Sequence, residues 1–425
     1  MKKESRQYQC YVDILKEELK PAMGCTEPIA LALASAKARE LLGEIPDYAL
    51  VQVSGSIIKN VKSVIVPNTN QMKGISAAVA AGIMAGDAGK ELEVLSEVRT
   101  EEIEKIEEGL RQIKIEFEPL QMGCTFDIIV TVKKGEHSAK VRIANYHTNI
   151  VLLEKDEEVI LQIPVQNEED SDDESIYNLL NMEDIWDFAN SVQIEDIREV
   201  IQRQIDYNVR ICEEGLSGDY GANIGKVLLK NDGNGVKTRA KAKAAAGSDA
   251  RMNGCDLPVI INSGSGNQGI TCSIPVIEYA KEYHASEEEM FRALVLSNLV
   301  AIHQKTRIGR LSAYCGAVSA GAAAGAGISY IMTKDYEHMT HTVVNALAIS
   351  SGIICDGAKA SCAAKIALSI DAGILGLQMY ESHQQFYGGD GIVKKGIEQT
   401  IHSVGRLGKD GMKQTNEEII KIMTE

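Results

Sequence analysis

The chain has 425 residues, a formal net charge of −16 at pH 7 and only 5% aromatic residues. Such an acidic surface disfavours nucleic acid and anionic membranes as partners, and few aromatic rings are available to stack on bases. The charged start MKKESRQYQC contains no apolar leader, and no apolar run reaches the length of about 18 residues that a membrane span requires. The nine cysteines are odd in number and scattered, which is typical of the reducing cytoplasm rather than of a disulfide framework.

Residues 1–88 are predicted to form an N-terminal segment of helices and strands. Apolar spacing predicts a helix over residues 8–20. A second helix is predicted over IALALASAKARELLG, because Pro28 suits the first helical position and Thr26 or Glu27 can cap it. The motif Gly-Cys-Thr-Glu-Pro therefore lies at a helix start.

Strand-like patterns follow and continue into a second unit. Residues 49–58 and 61–66 resemble two strands around a turn, and small residues predict a helix over 73–85. Residues 89–166 combine a charged helix with alternating apolar and polar runs, and residues 133–136 predict a hairpin turn. We therefore expect a compact α+β unit at 89–166.

The remaining chain begins with an acidic run. Residues 167–175 contain no apolar side chain and are predicted to form a solvated linker. Residues 176–425 have helical spacing in almost every segment, interrupted by loops rich in Gly, Asn and Asp. The sequence thus predicts an α+β protein, with a mainly α-helical catalytic domain preceded by a smaller α+β unit.

Three cysteines near the C-terminus lie among glycines and alanines. Cys355 follows Cys315 by 40 residues, and Cys362 follows Cys355 by 7. Small neighbours allow the close backbone approach that a bulky inorganic cofactor between helices requires. Three thiolates would leave one iron of a four-iron cluster open to a substrate. The alternative is that these cysteines fill a core, because free cysteine is among the most buried residue types.

Cys25 is a second candidate because it immediately precedes a helix start. Unpaired N–H groups and the helix dipole favour an anion there, so we expect a lowered pKa and a partly ionised thiolate near neutral pH. Such a group can act as a base, a nucleophile or a metal ligand. Alternatively, Cys25 packs inside an ordinary helix start.

The loop NSGSGNQG at 262–269 leads into another predicted helix. Its backbone N–H groups, with the side chains of Ser263, Ser265 and Asn267, predict a site for a small carboxylate. The loop fits the pattern GxGxxG superficially but lacks the βαβ surroundings of a dinucleotide site. A flexible loop without a ligand is the alternative.

Two further polar positions are candidates for substrate contact. Lys73 lies at the start of a predicted helix and can pair with a carboxylate. His147 follows a strand-like run, where it can donate to a substrate or serve ordinary turn chemistry.

Seven motifs occur in order along nearly the whole chain: GCTEPIALALA, VPNTNQMKG, HTNI, EGLSGDYGANIGK, NSGSGNQGI, YCGAVSAGAAAG and GIICDGAKASCAAKI. Together they resemble the L-cysteine desulfidase family, which shares its helical catalytic part with the iron–sulfur L-serine dehydratases. The resemblance implies an oxygen-sensitive [4Fe–4S] cluster bound by Cys315, Cys355 and Cys362. It also implies that Cys25 is the proton acceptor. A role for Cys25 as a fourth cluster ligand stays open, although it would close the cluster.

The implied reaction is the β-elimination of L-cysteine to sulfide, ammonia and pyruvate, with the loop serines, Asn267, Lys73 and His147 binding the substrate. An L-serine dehydratase with the same cofactor is the nearest alternative. A non-catalytic iron–sulfur or zinc sensor and a hydrolase built on Cys25 and His147 are more distant ones. We expect a cytoplasmic enzyme that acts on a small amino acid without nucleic acid or membrane partners, and a homo-oligomer is compatible with the sequence.

Overall fold

The computed structural model describes residues 1–120, 124–165, 175–309 and 311–425, so the predicted linker at 167–175 lies, apart from Ser175, outside the described residues. The helices are α1 (Arg6–Glu18), α2 (Thr26–Leu42), α3 (Gly55–Val61), α4 (Gly74–Ala85), α5 (Thr100–Gln112), α6 (Met182–Ser191), α7 (Ile194–Ser217), α8 (Ile224–Asp232), α9 (Val236–Met252), α10 (Gly266–Glu282), α11 (Glu287–Ile308), α12 (Gly316–Thr333), α13 (Tyr336–Ser350), α14 (Cys362–Glu381), α15 (Ile397–Arg406) and α16 (Lys413–Thr424). The strands are β1 (Pro21–Met23), β2 (Tyr48–Val53), β3 (Lys114–Pro119), β4 (Asp127–Lys134), β5 (His137–Ala144), β6 (Ile150–Lys155), β7 (Glu158–Gln162) and β8 (Pro258–Ile260). The prediction of a mainly helical α+β fold is confirmed.

Six strands form one sheet in the order β3-β2-β4-β5-β6-β7. β2 and β3 run parallel, and every other neighbouring pair is antiparallel. The hairpin turn predicted at 133–136 joins β4 to β5, with Lys134 opposite His137. β2 comes from the predicted N-terminal segment and lies between β3 and β4, which come from the predicted 89–166 unit. Both segments therefore contribute to a single sheet.

Helices cover one face of this sheet. Buried and less buried residues alternate along β2 and β5, which is the pattern of a sheet with one face against a core. α2 packs across β4, β5 and β6, and α4 packs against both α2 and α5. α2 is thus held between the sheet and α4, which fixes the position of its N-terminus.

The strand predicted over 49–58 is confirmed up to Val53 as part of β2, but the chain from Gly55 to Val61 is helix α3. The strand predicted over 61–66 is wrong, because residues 62–66 form a turn in which Ile65 makes an isolated bridge to Lys73. α3 forms instead of a longer strand, because tertiary contacts override the local preference of β-branched residues. It packs against α2, α4 and α16. Its buried residues Lys59 and Asn60 line the cavity that is described below.

The region 176–425 is built almost entirely of helices around α12, which contacts α10, α11, α13 and α14. α12 and α14 approach each other at two glycines. A Cβ on Gly321 would lie 2.4 Å from the Ser369 carbonyl oxygen, and a Cβ on Gly373 would lie 2.4 Å from the Gly321 carbonyl oxygen. The small residues seen in the sequence therefore allow direct backbone contact between the two helices that begin at cysteines.

A two-stranded sheet joins the N-terminal part to the helical region. β8 pairs antiparallel with β1, so that Pro21 is opposite Ile260 and Met23 is opposite Pro258. β1 directly precedes the GCTEP motif and has only three residues, which is too short for periodicity to reveal. The pairing brings this motif to the loop at 262–269.

The stretch Ser361–Glu381, which contains α14, is long and apolar enough by length and composition to cross a membrane. However, 56% of its apolar window is buried inside the protein, and α14 packs against α9, α12 and α13. The core helix of a globular protein passes the same test, so this stretch is weak evidence for a membrane span.

Candidate active site

Four helices begin around one cavity. Cys25, Ser265 and Cys315 hold the cap positions of α2, α10 and α12, and α14 begins at Cys362. All four residues line a cavity of about 800 Å³, counting its open mouth. Each helix N-terminus carries a partial positive charge and N–H groups without a partner inside the helix. The cavity is therefore suited to negative charge.

The C-terminal cysteines are brought together by short backbone pairing. The Cys315 N–H donates to the Ile353 carbonyl at 3.1 Å, and the Cys355 N–H donates to the Ala313 carbonyl at 2.7 Å. The chain then turns and reaches Cys362 at the start of α14. As a result, three thiols that are distant in the sequence line the same cavity.

The loop between Cys355 and Cys362 lies against α3. Gly357 has a φ of +94°, and a Cβ there would lie 2.4 Å from the Lys59 carbonyl oxygen, so this position requires glycine. The buried Lys59 Nζ donates to the Cys355 carbonyl at 3.2 Å and to Asn416 Oδ1 at 2.7 Å. Burial lowers the pKa of Lys59. One lysine thus ties the cysteine loop to α3 and α16.

The charges of Cys355 and Cys362 oppose the ionisation of Cys315. Burial, followed by the charge of Cys355 and then that of Cys362, raises the pKa of Cys315 to about 12. Burial also raises the pKa of Cys362. Neighbouring thiols of this kind ionise together when a cationic metal group binds them.

The cavity supplies the donor set that an iron–sulfur cluster uses, since three cysteine thiols line it. Among the described residues, no three His, Cys, Asp or Glu side chains are placed to share one ion. A four-iron cluster does not require this, because each thiolate binds a different iron. Gly316, Ala317, Gly357 and Ala358 line the same cavity, and their small side chains occupy little of it.

Cys25 is a buried thiol, which corrects the prediction of a lowered pKa. Burial raises its pKa well above the usual range, and the Glu27 carboxylate raises it further. Its Sγ donates a hydrogen bond to Glu27 Oε2 at 3.0 Å. A helix terminus is too weak to offset the desolvation of a fully buried thiolate. Cys25 also holds the cap position of α2 itself, in place of the predicted caps Thr26 or Glu27.

Glu27 is the acceptor at the centre of this network. Its Oε1 accepts a hydrogen bond from Asn60 Nδ2 at 2.9 Å. Burial alone would raise the pKa of Glu27, but the charge of His147, the hydrogen bond from Cys25 and the charge of Arg251 outweigh burial and lower it. A neutral thiol therefore lies beside an ionised carboxylate.

The loop at 262–269 forms another part of the cavity wall. Ser263 and Gly264 have φ values of +51° and +77°, so the chain turns sharply before α10. Thr26 Oγ1 donates to the Gly264 carbonyl at 2.9 Å, which fixes the loop against α2. The cavity lining includes all three predicted loop residues, Ser263, Ser265 and Asn267.

Of the other two predicted substrate residues, His147 lines the cavity and Lys73 does not. His147 is buried and lines the cavity, and its ring meets Phe126 edge-on with centroids 4.6 Å apart. Lys73 is exposed at the cap of α4 and lies outside the cavity lining. The described lysines and arginines that do line the cavity are Lys59, Arg251 and Lys305.

Comparison with known proteins identifies the family. The sequence model described as Serine dehydratase alpha chain matches residues 89–421. The chain belongs to the serine dehydratase alpha-chain family. The family resemblance drawn from the seven motifs is thereby confirmed.

Relatives of this serine dehydratase alpha-chain member also cover its N-terminal segment. A UPF0597 protein of Desulfitobacterium hafniense is 56% identical over 425 residues, covering 100% of this chain and 98% of that protein. UPF0597 proteins of Lachnoclostridium phytofermentans and Finegoldia magna are 53% and 48% identical, each over 98% of this chain and 99% of the relative. Cys25 therefore lies before the region matched by the family model but within the span that these relatives share.

Several cavity residues of this family member were missed by sequence analysis. Arg251 and Lys305 lie within α9 and α11, where no loop or motif draws attention to them. The sequence pattern predicts only a helix cap for Glu27. Its position two residues after Cys25 is the one signal that could have indicated a thiol–carboxylate pair.

Proposed function

We propose that this chain catalyses the iron–sulfur-dependent β-elimination of L-cysteine to sulfide, ammonia and pyruvate. The observation that carries the proposal is a single cavity in which three cysteines meet a buried thiol–carboxylate pair. Such a site combines a place for a cofactor with a group that can accept a proton. Membership of the serine dehydratase alpha-chain family supports a lyase.

Cys315, Cys355 and Cys362 would hold the [4Fe–4S] cluster through their thiolates. When bound by three cysteines, such a cluster supplies an iron with an open position, which acts as a Lewis acid on the leaving group. The N-termini of α12 and α14 favour the negative charge that the thiolates bring into the cavity.

Cys25 and Glu27 would carry out the proton transfer. Moving the thiol proton to Glu27 along their hydrogen bond leaves a thiolate, which takes the Cα proton of the substrate. The electrons of that C–H bond form the Cα–Cβ double bond, and the Cβ–S bond breaks to release sulfide. The remaining aminoacrylate tautomerises to an imine, which water hydrolyses to pyruvate and ammonia.

The residues of the 262–269 loop would bind the substrate together with His147. Ser263, Ser265 and Asn267 provide polar groups at the start of α10, where an anion is favoured. Lys73 has no part in this proposal, because it lies outside the cavity lining.

L-Serine is the nearest alternative substrate, and the name of the matching family favours it. The same groups could remove the Cα proton of serine and expel hydroxide. Iron of a sulfide cluster is a soft Lewis acid that suits a sulfur leaving group, and this preference supports L-cysteine.

We also propose that the enzyme works in the cytoplasm on a small amino acid, without nucleic acid or a membrane. All nine cysteines are free thiols, and a net charge of −16 disfavours anionic partners. A homo-oligomer is compatible with this proposal.

The proposal is tested by purifying the protein without oxygen, reconstituting it with iron and sulfide, and measuring sulfide and pyruvate formed from L-cysteine and L-serine. We expect a brown protein whose kcat/KM is higher for L-cysteine. A colourless, iron-free protein with equal activity would contradict the cluster mechanism. A higher kcat/KM for L-serine would select the alternative substrate.

Replacing single cysteines assigns their roles. Cys25→Ala should keep the brown cluster but lose activity by about 100-fold or more, as expected for a missing general base. Loss of the cluster in this variant would instead make Cys25 the fourth ligand. Cys315→Ala and Cys355→Ala should be colourless, whereas Cys272→Ala, which changes a buried cysteine outside the cavity lining, should stay brown and active.

A further inference from the structure

Arg251 is a buried guanidinium in the wall of the cavity. It is 3% exposed, and its Nε has no hydrogen-bond partner. Its hydrogen bond within the described part of the chain runs from a terminal nitrogen to Met252 Sδ at 3.9 Å, and a thioether is a weak acceptor. No carboxylate among the described residues forms an ion pair with it.

A buried guanidinium without an anion is strongly unfavourable, which indicates that a ligand completes the site. Burial lowers the pKa of Arg251, but a guanidinium remains charged. The charge of Glu27 attracts Arg251 without an ion pair, and that carboxylate already accepts hydrogen bonds from Cys25 and Asn60. The donors of Arg251 therefore remain available to a further anion.

The guanidinium lies against the first residue of α10. A Cβ on Gly266 would lie 2.3 Å from Arg251 Nε and 2.8 Å from its Cζ. α10 has 17 residues, and the N–H groups of its first turn have no partners inside the helix. A planar guanidinium beside a helix N-terminus matches the two oxygens of a carboxylate.

We propose that Arg251 and the N-terminus of α10 together bind the α-carboxylate of the amino acid substrate. Arg251, Cys25 and Glu27 line the same cavity, so a carboxylate held by Arg251 keeps the adjacent Cα in the cavity that contains the proton acceptor. The inference rests on the proposed function for the identity of the substrate, but the carboxylate site itself requires no turnover.

Binding of two unreactive probes tests this site. L-Alanine has the α-carboxylate and no leaving group, and ethylamine is the matched molecule without a carboxylate. Calorimetry on the reconstituted, oxygen-free protein should show that ethylamine binds at least about 100-fold more weakly than L-alanine. Arg251→Lys keeps the charge but loses the planar fork, so L-alanine should bind about 10- to 100-fold more weakly while ethylamine is unaffected.

Steady-state kinetics and a matched variant complete the test. Arg251→Lys should raise the KM for L-cysteine by a similar factor while the cluster absorbance stays unchanged. Arg203→Lys changes a partly buried arginine of α7 outside the cavity lining. This variant should change neither the affinity for L-alanine nor the affinity for ethylamine. If Arg251→Lys does not fold, Gly266→Ala tests the same contact, because its methyl group would displace the guanidinium.

These measurements distinguish failure of the carboxylate site from failure of the proposed function. Equal affinity of the wild type and a folded variant for L-alanine overturns the inference. A folded Arg251→Lys protein that takes up no iron also overturns it, because Arg251 would then serve the cysteine cluster. A wild-type protein that turns over neither L-cysteine nor L-serine, yet binds L-alanine through Arg251, would refute the proposed function and support the carboxylate site.

Discussion

At the scale of single residues, the Cys25 thiol and the Glu27 carboxylate form a hydrogen-bonded pair that holds one proton. Burial raises the pKa of Cys25, whereas Glu27, which accepts a hydrogen bond from Asn60, has a lowered pKa. The proton therefore rests on sulfur. The thiolate that takes the Cα proton has to be generated during turnover, and Glu27 is placed to receive the thiol proton.

Glu27→Gln should lower kcat by about 100-fold or more, because an amide can accept the hydrogen bond of Cys25 but cannot take its proton. Cluster content should not change, since Glu27 is not among the proposed ligands. Activity assays and iron analysis on the same preparation check this. Glu18→Gln is the matched control, because Glu18 is a buried glutamate outside the cavity lining that accepts a hydrogen bond from Tyr177. Equal kcat values for the two variants would contradict the role of Glu27.

The contribution of Asp249 to the free energy of unfolding should decrease as the pH rises from about 4 to about 6. Burial raises its pKa from 3.8 to about 6, although it accepts a hydrogen bond from the Ile224 N–H at the start of α8. The folded protein binds the proton more tightly than the unfolded chain, so this contribution to stability is present at low pH and lost as Asp249 ionises. Asp249→Asn should therefore raise the melting temperature at pH 7.5 by about 1–2 °C and have a smaller effect at pH 5.

Asp371→Asn is a control variant for which the expected change in melting temperature at pH 7.5 has the opposite sign. Asp371 pairs with Lys237 at 3.0 Å and Lys241 at 3.1 Å, and although burial opposes ionisation, these lysines lower its pKa. Its stabilising effect is present above the unfolded pKa and lost as the pH falls. This variant should melt below the wild type at pH 7.5. A melting temperature of Asp249→Asn below that of the wild type at this pH would show that the charged carboxylate stabilises α8.

Candidate site residues could be predicted from the sequence where a local sequence pattern identifies them. Cys25, the cysteines of α12 and α14 and the 262–269 loop lie at helix starts, which capping and glycine signals reveal. The protonation state of Cys25 was predicted incorrectly, because it depends on burial that local sequence does not record. Arg251 lies inside a helix, and only packing brings it to the cavity.

At the scale of elements, long periodic helices were predictable and short elements were not. α4 and α5 follow from composition and spacing over a dozen or more residues. β1 has three residues and α3 has seven, so each depends on tertiary partners rather than on its own pattern. These two short elements bring Cys25 and Lys59 to the cavity, which is why the assembly of the site could not be derived from the sequence.

Gly357→Ala should reduce cluster loading by disturbing the contact between the cysteine loop and α3. The added Cβ would lie 2.4 Å from the Lys59 carbonyl oxygen, and backbone at this position cannot move without shifting Cys355 or Cys362. Gly352→Ala is the matched control, because Gly352 also has a positive φ, +132°, but nothing lies within 4 Å of its added Cβ. Iron content after identical reconstitution should fall clearly further in Gly357→Ala. Equal loading of both variants would show that the loop adapts.

At the scale of the whole molecule, the site is assembled from both parts of the fold. The sheet and α4 hold α2, the β1–β8 pair joins α2 to the glycine-rich loop, and α12 and α14 pack through glycines. Lys59 links the cysteine loop to α16 near the C-terminus. A group bound by Cys315, Cys355 and Cys362 would therefore bind the folded chain and have little affinity for the unfolded one.

Cluster loading should consequently raise the thermal stability of the entire protein. A ligand that binds only the folded state stabilises it according to its affinity, so the reconstituted protein should melt about 3–5 °C or more above the metal-free protein when both are kept without oxygen. Removing the iron with a chelator should return the melting temperature to that of the metal-free form. Cys315→Ala should show no increase on reconstitution, whereas Cys10→Ala, which changes a buried cysteine of α1 outside the cavity lining, should keep it. An equal increase in both variants would mean that iron binds away from the proposed cysteines.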